Sequence, residues 1–431
     1  MLRSYFVIFC VLLILASCTS VKKIAFETDL TRLINKSEVF EEEYVGFSLY
    51  DPSNDKFLLN INADKYFTPA SNVKAFTFYT TNAILRDSIP TFAYTRRGDS
   101  LFVTPLGDPT FLHPDFQEQV ALRRLGAFPD ENIFISYPEI ELKPFGPGWA
   151  WDDYEYDFQP ERHPLPIYGN VIKVNVTDSL TTISPQFFEN FVDMDGQRAK
   201  GRLTDQNIFY FPSIEAKGDT IESIIPFKTS KELHHRLLAD TLRKKVKEVS
   251  SVPYFMADTI YNGRSLPMYA TMMLRSDNFI AEQMLYMSAL EKNRSSIGEH
   301  ISELANNELV FLPDSLIWVD GSGLSRYNMV TPRNQIALYT RIYRSLAWDR
   351  IQLVFPNGGV SGTIKNWYGA EEPYIFAKTG TLRHNHCLSG FLKTKTGRIL
   401  IFSWMNNHYT RPVSEIKVEM QKLFESIRDN Y

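Results

Sequence analysis

Cysteine is scarce in this sequence, which has three in 431 residues. Cys10 and Cys18 stand near the N-terminus, and the third is Cys387. If Cys10 is removed with a leader and Cys18 is modified, Cys387 has no partner in the chain. A disulfide framework is therefore excluded, and the fold must rest on a hydrophobic core. A content of 44% hydrophobic and 14% aromatic residues is ample for that core.

An excess of charge of one sign is also lacking. Lys and Arg number 46 and Asp and Glu number 50, which gives a formal net charge of −4, and no basic block is present. This balance argues against nucleic acid as a partner. Beyond the N-terminus, no run is long and apolar enough to cross a membrane, and the sequence has no internal repeat.

The N-terminus has the pattern of an export leader. Arg3 precedes an apolar run from Tyr5 to Ala16, which is too short to span a bilayer and predicts a signal peptide over residues 1–17. The run ends in Leu15-Ala16-Ser17-Cys18, which is typical of a lipobox. We therefore expect Cys18 to be acylated, so that the protein is lipid-anchored in a bacterial cell envelope and faces the periplasm. The alternative is an ordinary signal peptide with a chance cysteine.

The rest of the sequence predicts an α+β fold in which both ends of the chain contribute to one sheet. Turn residues 52–55 separate two predicted strands and indicate a hairpin. The other expected elements are a helix from Ser71 to Leu85, a β-rich insert over 90–226, helices from Lys231 through Leu290 and from Thr331, strands at 374–377, 387–392 and 399–404, and a helix over 413–427.

Ser71-Asn72-Val73-Lys74 is the first of three motifs that indicate chemistry. Ser-x-x-Lys occurs four times, at Ser20, Ser53, Ser71 and Ser414, but only Ser71 opens a strongly apolar helix after a proline. Residues i and i+3 share a helix face, so the Lys74 amine can reach the Ser71 hydroxyl as its base. That role requires a lowered pKa, through burial or through a second cation such as Lys378. The alternative is a helix start with a solvent-facing lysine.

The second motif is Ser276-Asp277-Asn278. A hydroxyl at Ser276 could relay a proton toward a leaving amine, and Asn278 could hydrogen-bond a substrate amide. On its own, the same tripeptide could simply cap a helix.

The third motif, Lys-Thr-Gly, occurs twice. Lys395-Thr396-Gly397 lies between two predicted strands and is interpreted as a polar hairpin turn without chemistry. Lys378-Thr379-Gly380 follows a predicted strand and precedes Thr381. Gly380 would let a substrate backbone lie close to the strand, and Lys378, Thr379 and Thr381 would then face a carboxylate.

The three motifs in this order, with a long insert between the first two, resemble the low-molecular-mass class C penicillin-binding proteins, the D-alanyl-D-alanine carboxypeptidase/endopeptidase family. A class A β-lactamase has a far shorter gap. The resemblance extends from about Glu43 to Asn407. Segments similar to that family's signatures are 69–74, 107–110, 146–149 with 152–153, 320–326 and 358–363.

The resemblance implies a penicillin-binding-protein/β-lactamase-like transpeptidase fold, an antiparallel sheet flanked by helices with a β-rich inserted domain. Residues 18–89 and 227–431 would form the serine peptidase domain and residues 90–226 the insert. No metal or organic cofactor is implied. The insert is shorter than in larger members of the family, and the segment Arg383 to His386 is more basic than expected.

The same resemblance implies roles for matching residues. A peptidoglycan stem peptide would acylate Ser71, with Lys74 as base and Ser276 as proton relay, and water would then hydrolyse the acyl-enzyme. Backbone N–H groups of Ser71 and Thr381 would form the oxyanion hole. β-Lactams would acylate Ser71 as inhibitors. The substrate-binding positions would be Asn278, Lys378, Thr379, Gly380 and Thr381.

Two alternatives of other classes stay open: a lipid-anchored peptidoglycan-binding protein with little turnover, and a β-lactamase or esterase on the same scaffold. The choice between carboxypeptidase and endopeptidase action is also open. His384-x-His386 could be a metal pair, but no third ligand accompanies it, and a polar rim is the preferred interpretation. The loop Asp320–Gly323 lacks the ending of a P-loop and is interpreted as a turn that shapes the domain.

Overall fold

The structure is a computed structural model that describes residues 26–129, 132–178, 180–194, 198–212, 218–251 and 258–431. The expected signal peptide at 1–17 and the expected lipidation site at Cys18 lie outside the described residues and stay predictions. None of the helices in the described ranges combines the length and apolarity that a membrane crossing requires.

The described residues form both helices and strands. Residues 26–35 are helical. The α-helices that follow are Lys74–Ile84, Val120–Ala127, Lys231–Leu242, Ser265–Leu274, Asn278–Glu291, Ile297–Asn307, Pro332–Ser345, Trp348–Val354 and Val413–Asn430. Short 3-10 helices are Ala70–Val73, Trp151–Glu155, Tyr168–Asn170, Gln186–Phe191 and Gly362–Ile364. The strands are β1 (Tyr44–Asp51), β2 (Lys56–Ile61), β3 (Ser88–Arg97), β4 (Ser100–Pro105), β5 (Asn132–Ile135), β6 (Val171–Val176), β7 (Thr181–Ser184), β8 (Val192–Asp193), β9 (Gly201–Arg202), β10 (Phe209–Tyr210), β11 (Ile221–Pro226), β12 (Lys245–Glu248), β13 (Asp258–Arg264), β14 (Ile375–Leu382), β15 (Asn385–Lys393) and β16 (Ile399–Asn407).

The chain forms two compact units. The first contains the described residues up to Asn72 together with Leu312–Leu316 and Met329–Tyr431. The second contains Val73–Phe311 and Ile317–Asn328.

The first unit is built on one antiparallel sheet with the strand order β14-β15-β16-β1-β2. Strand β1 pairs with β16 from Tyr44 opposite Asn407 onward, so the N-terminal hairpin joins strands from the end of the chain. All but the first residue of β1 is buried, because helices cover both faces of the sheet. The expected hairpin, the three later strands and the sheet shared by both chain ends are all confirmed.

The helices of this unit flank the sheet as expected. The helix Val413–Asn430 packs its apolar face against the sheet. Its Phe424 contacts Phe402 of β16, with ring centroids 4.7 Å apart. Pro332–Ser345 begins at Thr331, whose hydroxyl accepts the backbone N–H of Asn334 at 3.1 Å. This confirms the helix expected from Thr331, and the α+β class with an antiparallel sheet flanked by helices is confirmed as well.

The second unit combines a helical layer with β-rich chain. Asn278–Glu291 is buried over nearly its whole length, and Phe78 of Lys74–Ile84 meets Tyr269 edge to face at 5.4 Å. A helix that is buried all round must be surrounded by other elements, which explains why the sequence there is apolar on every face. The β-rich part holds a five-stranded sheet, β12-β5-β4-β3-β13, and two three-stranded sheets.

The five-stranded sheet reaches beyond residue 226, the expected end of the insert. Strand β12 pairs in parallel with β5, and β13 pairs antiparallel with β3. Both strands lie in the stretch for which helical patterns were expected, and the sequence prediction missed them. The reason is physical: β12 is a mostly exposed edge strand, Lys-Val-Lys-Glu, with no apolar alternation, and only two residues of β13 are fully buried.

Candidate active site

The segment that precedes Ser71 is fixed to the sheet of the first unit. Phe67 forms a two-way backbone bridge with Val330, and the carbonyl of Thr68 accepts the Cys387 thiol at 3.5 Å. Ala70 then takes a left-handed backbone conformation, with φ of +47°, and is almost fully buried. A non-glycine residue in that region costs about 1–2 kcal/mol, so the surrounding contacts must hold it there.

Ser71 lies in the 3-10 helix Ala70–Val73, which continues directly into the α-helix that Lys74 opens. In a 3-10 turn, side chains three residues apart lie above one another. The local backbone therefore agrees with the expected placement of Ser71 and Lys74 on one face, and the expected helix is confirmed.

Lys74 is fully buried within the second unit, so the alternative of a solvent-facing lysine is wrong. Its Nζ donates to Oδ1 of Asn278 at 2.5 Å and to the carbonyl of Ser322 at 2.6 Å. Burial lowers the pKa of the amine from 10.5 to about 8, although the carboxylates of Asp320, Asp277 and Glu282 oppose that shift. Burial was one of the two expected causes of a lowered pKa.

A buried polar network holds the carbonyl that Lys74 contacts. The backbone N–H of Ser322 donates to Oε1 of Glu282 at 2.8 Å, and Oε2 of Glu282 accepts from Arg162 at 3.2 Å. Both charged side chains are at most 6% exposed. Arg162 also donates to the carbonyls of Lys143 and Phe145, and these hydrogen bonds fix the orientation of its guanidinium group.

Asp320 organises the adjoining loop. Its carboxylate accepts the backbone N–H groups of Gly323 and Ser325, and also the indole N–H of Trp149 at 2.7 Å. The loop was expected to be a turn that shapes the domain. It does turn the chain, but through Ser322 it also contacts Lys74.

The second motif is a helix start that also contacts Lys74. Ser276 has a φ of +60°, and Asp277 caps Asn278–Glu291 by accepting the N–H of Ile280 at 2.8 Å. Asn278 was expected to contact substrate. In the structure its Oδ1 accepts from Lys74 and its Nδ2 donates to the carbonyl of Phe158 at 2.7 Å. Both ends of the amide are thus engaged by the protein, which favours a role in orienting Lys74.

The third motif lies on β14 of the first unit, and its three residues are buried. Lys378 is fully buried and its Nζ donates to the carbonyl of Thr379 at 2.8 Å. The hydroxyl of Thr379 lies 2.7 Å from that of Thr363, and Thr381 is exposed. No role was expected for Thr363, because its only signal in the sequence was its place in the segment 358–363.

Gly380 lies so close to neighbouring backbone that no side chain fits at this position. A Cβ atom there would lie 2.8 Å from Nδ2 of Asn72 and closer still to the carbonyl oxygen of Pro69. The glycine was expected to make room for a substrate backbone. In the structure Pro69 and Asn72, which flank Ala70 and Ser71, occupy that space. The lack of a side chain at Gly380 thus allows the third motif to pack directly against the segment that carries Ser71.

Two further patterns, the second Lys-Thr-Gly copy and the His384-x-His386 pair, lie in or next to turns between strands. Lys395-Thr396-Gly397 lies between β15 and β16, with Gly397 at a φ of +83°, as expected for a turn. His384 lies in the tight turn between β14 and β15, and its Nδ1 is 2.8 Å from the carbonyl of Tyr409. His386 lies on β15 instead, beside Thr381.

Comparison with known proteins gives consistent matches over almost the whole chain. The model of the D-Ala-D-Ala carboxypeptidase 3 (S13) family matches residues 26–426. The D-alanyl-D-alanine carboxypeptidase DacB of Haemophilus influenzae is 22% identical over 444 residues, which cover 91% of each chain. The crystal structure of penicillin binding protein 4 (dacB) from the same organism has a TM-score of 0.70 at 18% identity, covering 94% of this chain and 99% of that one. Its complex with a novel β-lactam has a TM-score of 0.65 at 17% identity, with the same coverage.

Proposed function

The chain belongs to the D-Ala-D-Ala carboxypeptidase 3 (S13) family, and from that premise we propose that Ser71 is the nucleophile of a serine-type peptidase that cleaves the D-Ala-D-Ala end of peptidoglycan stem peptides. The family resemblance expected from the three motifs is thereby confirmed, as is the class of enzyme. The catalytic and substrate-binding roles of individual residues are what we propose in addition.

The state of Lys74 is the observation that carries the proposal. With a pKa of about 8, a substantial fraction of the amine is neutral near physiological pH. A neutral amine has two N–H donors and one lone pair. Asn278 and Ser322 both accept N–H donors of Lys74, and the lone pair of the neutral amine is the group that takes a proton. A buried lysine held in this way is suited to act as a general base.

Acylation then proceeds with Lys74 as base. The Ser71 hydroxyl gives its proton to Lys74, and Oγ bonds to the carbonyl carbon of the penultimate D-alanine. When the tetrahedral intermediate collapses, the C–N bond breaks and the proton passes through the Ser276 hydroxyl to the departing amine. The backbone N–H groups of Ser71 and Thr381 stabilise the oxyanion. Water hydrolyses the acyl-enzyme and restores Ser71.

The third motif binds the terminal carboxylate of the peptide in this proposal. Lys378 supplies the positive charge, and the hydroxyls of Thr379 and Thr381 donate hydrogen bonds. The same positions would bind the carboxylate of a β-lactam, whose ring carbonyl Ser71 would attack. A solved relative with a bound β-lactam supports this step.

Mass spectrometry after incubation with benzylpenicillin tests the nucleophile. We expect one covalent adduct, on Ser71, and none in Ser71→Ala. The matched control is Ser53→Ala, since Ser53 opens another Ser-x-x-Lys match but lies in the β1–β2 turn. A folded protein without an adduct would refute the proposal, and rapid loss of the adduct would favour the β-lactamase alternative.

Release of D-alanine separates the enzyme from the wall-binding alternative. We expect release from uncross-linked muropeptides that disappears in Ser71→Ala, whereas a binding protein would retain the fragments unchanged. Cross-linked dimers assayed in parallel decide between carboxypeptidase and endopeptidase action. Their conversion to monomers would establish the endopeptidase activity.

We also propose that the protein is exported and anchored in the cell envelope through an acylated Cys18. The support is the leader pattern that ends in Leu15-Ala16-Ser17-Cys18. Metabolic labelling with radioactive palmitate should mark the protein in a bacterial host, and Cys18→Ala should abolish the label and release the protein from membranes. Label retained in Cys18→Ala would contradict the anchor, and Cys387→Ala should remain labelled.

A further inference from the structure

His386 is a buried imidazole next to Thr381, the exposed residue that follows the third motif. It lies on β15 directly opposite Thr381 of β14 and is fully buried, whereas Thr381 is exposed. Nδ1 of His386 is 2.9 Å from the hydroxyl oxygen of Thr381. The histidine therefore contacts the hydroxyl of a residue that is itself accessible to a ligand.

The protonation state of His386 determines whether the Thr381 hydroxyl can donate a hydrogen bond to a ligand. Burial lowers the pKa of the imidazole to about 3, so the ring is neutral and has one N–H donor and one acceptor nitrogen. Its Nε2 is buried and has no hydrogen-bond partner among the described residues. A buried N–H without a partner is rarer in proteins than an unsatisfied acceptor. The tautomer with the proton on Nδ1 is therefore favoured.

The direction of the hydrogen bond follows from this tautomer. Nδ1–H donates to Oγ1 of Thr381, and the single proton of that hydroxyl must then point to another acceptor. In the opposite tautomer, Thr381 would donate to His386 and present only lone pairs to a ligand. Lone pairs repel a carboxylate, so the two tautomers predict opposite effects on the binding of an anionic group.

We propose that His386 is a positioning residue that turns the Thr381 hydroxyl proton toward the terminal carboxylate of the substrate, and so favours peptides with a free C-terminal carboxylate over peptides in which that group is masked. The inference rests on the proposed function, since it assumes that Thr381 contacts the substrate carboxylate. His386 itself contacts neither the substrate nor the reacting atoms. It acts through the direction of one hydrogen bond.

Two peptides, three single variants and one double variant test the inference on the full chain. One peptide ends in D-Ala-D-Ala, and the other carries a carboxamide in place of the terminal carboxylate. In His386→Leu we expect kcat/KM to fall about tenfold for the carboxylate peptide, the scale of one hydrogen bond to a charged group, and to change little for the carboxamide. His386→Asn, whose Nδ2–H can replace Nδ1–H, should restore most of the loss.

Thr381→Val supplies the coupling control. Without the hydroxyl, replacing His386 by Leu should have no further effect on the carboxylate peptide, so the two substitutions should be strongly non-additive. The tautomer has a direct readout as well. In a two-bond ¹H–¹⁵N spectrum of histidine-labelled protein, the signals that disappear in His386→Asn should have the pattern of an Nδ1–H imidazole.

Several outcomes would overturn the inference. An equal loss on both peptides would mean that His386 only supports the fold, and a gain for the carboxylate peptide in His386→Leu would establish the opposite tautomer. An unchanged kcat/KM in every variant would exclude the coupling. Failure of the proposed function is distinguishable, because wild-type protein would then neither release D-alanine nor form an adduct with benzylpenicillin, and the inference would be overturned with it.

Discussion

Glu282 accepts the backbone N–H of Ser322 at 2.8 Å, and the carbonyl of the same serine receives the Lys74 amine at 2.6 Å. A buried carboxylate thus fixes the position of a proposed base through a single intervening residue. The arrangement also places negative charge near Lys74, which raises its pKa against the effect of burial. Two opposing contributions therefore set that pKa, and each can be changed separately.

The pH dependence of acylation should report the pKa of Lys74. Because the base must be neutral, the rate constant for acylation by benzylpenicillin should fall as the pH decreases below about 8. Stopped-flow or quenched mass spectrometry between about pH 5.5 and 9.5 would measure this decline, the acidic limb of the pH profile, on both sides of the expected pKa. A rate independent of pH across this range would argue against Lys74 as the base.

Glu282→Gln should move that limb to lower pH. The amide can still accept the N–H of Ser322, but the negative charge that raises the pKa of Lys74 is lost. The substitution also leaves Arg162 without its buried partner, so the free energy of unfolding should fall by about 3 kcal/mol. Glu303→Gln is the control, because Glu303 also forms an ion pair, with Arg294, but does not contact Lys74. A limb at the wild-type pH in Glu282→Gln would contradict this account.

Asn278→Asp should move the same limb in the opposite direction. A carboxylate in place of the amide would lie within hydrogen-bonding distance of Nζ of Lys74 and would favour its charged form. The pKa of Lys74 should then rise, and acylation at pH 7 should slow more than acylation at pH 9. A uniform loss at both pH values would indicate instead that Asn278 contacts the substrate, as the sequence suggested.

Gly380→Ala should disrupt the support of the segment that carries Ser71. The new methyl group would meet Asn72 and the Pro69 carbonyl, and crowding of this kind costs about 1–3 kcal/mol. We expect a lower melting temperature and slower acylation. Gly397→Ala in the other Lys-Thr-Gly copy is the matched control, since no atom lies within 4 Å of the added Cβ. It should lose stability through its positive φ while its acylation rate is retained; slower acylation in this control would contradict the assignment.

The stacked pair His163 and His234 should make the second unit sensitive to acid. Their ring centroids are 3.6 Å apart at 17°, and burial lowers the pKa of His163 from 6.5 to about 4 and that of His234 well below 6.5. The unfolded chain therefore binds protons that the folded chain excludes, so stability is full above about pH 6.5 and is lost as the pH falls toward 4. His163 alone should contribute about 3 kcal/mol.

Urea unfolding at pH 7.5 and pH 5 would measure this loss. His163→Asn should reduce the difference between the two pH values, whereas His408→Gln should leave it unchanged because His408 is exposed. An undiminished difference in His163→Asn would assign the acid sensitivity to other groups.

The sequence predicted the elements whose signals are local. The β1–β2 hairpin, the helix after Pro69 and the three strands of the C-terminal part each have their own apolar pattern and turn residues. The burial of Lys74 could also be expected, because the apolar residues after it require a buried helix. These elements determine most of the first unit.

The partners of Lys74 could not be predicted in the same way. Ser322 is separated from Lys74 by 248 positions, and no periodic pattern links residues so far apart in the chain. Glu282 lies on a helix that is buried on every side, where a single acidic residue gives no sign of which neighbour it meets. His386 was noticed only for its basic segment and for its spacing from His384, and its contact with Thr381 depends on the register of β14 and β15.

The pairing of β1 with β16 has a consequence for the order of events during biosynthesis. The N-terminal hairpin is made first, yet its inner neighbour, residues 399–407, is made among the last. Contacts of such long sequence separation form slowly, and an unpaired strand edge exposed in the meantime can associate with other chains. A ribosome that stops before residue 399 would thus leave β1 paired with β2 alone and its other edge unpaired, and a chain clipped there should be removed by proteases rather than persist as a partly active fragment.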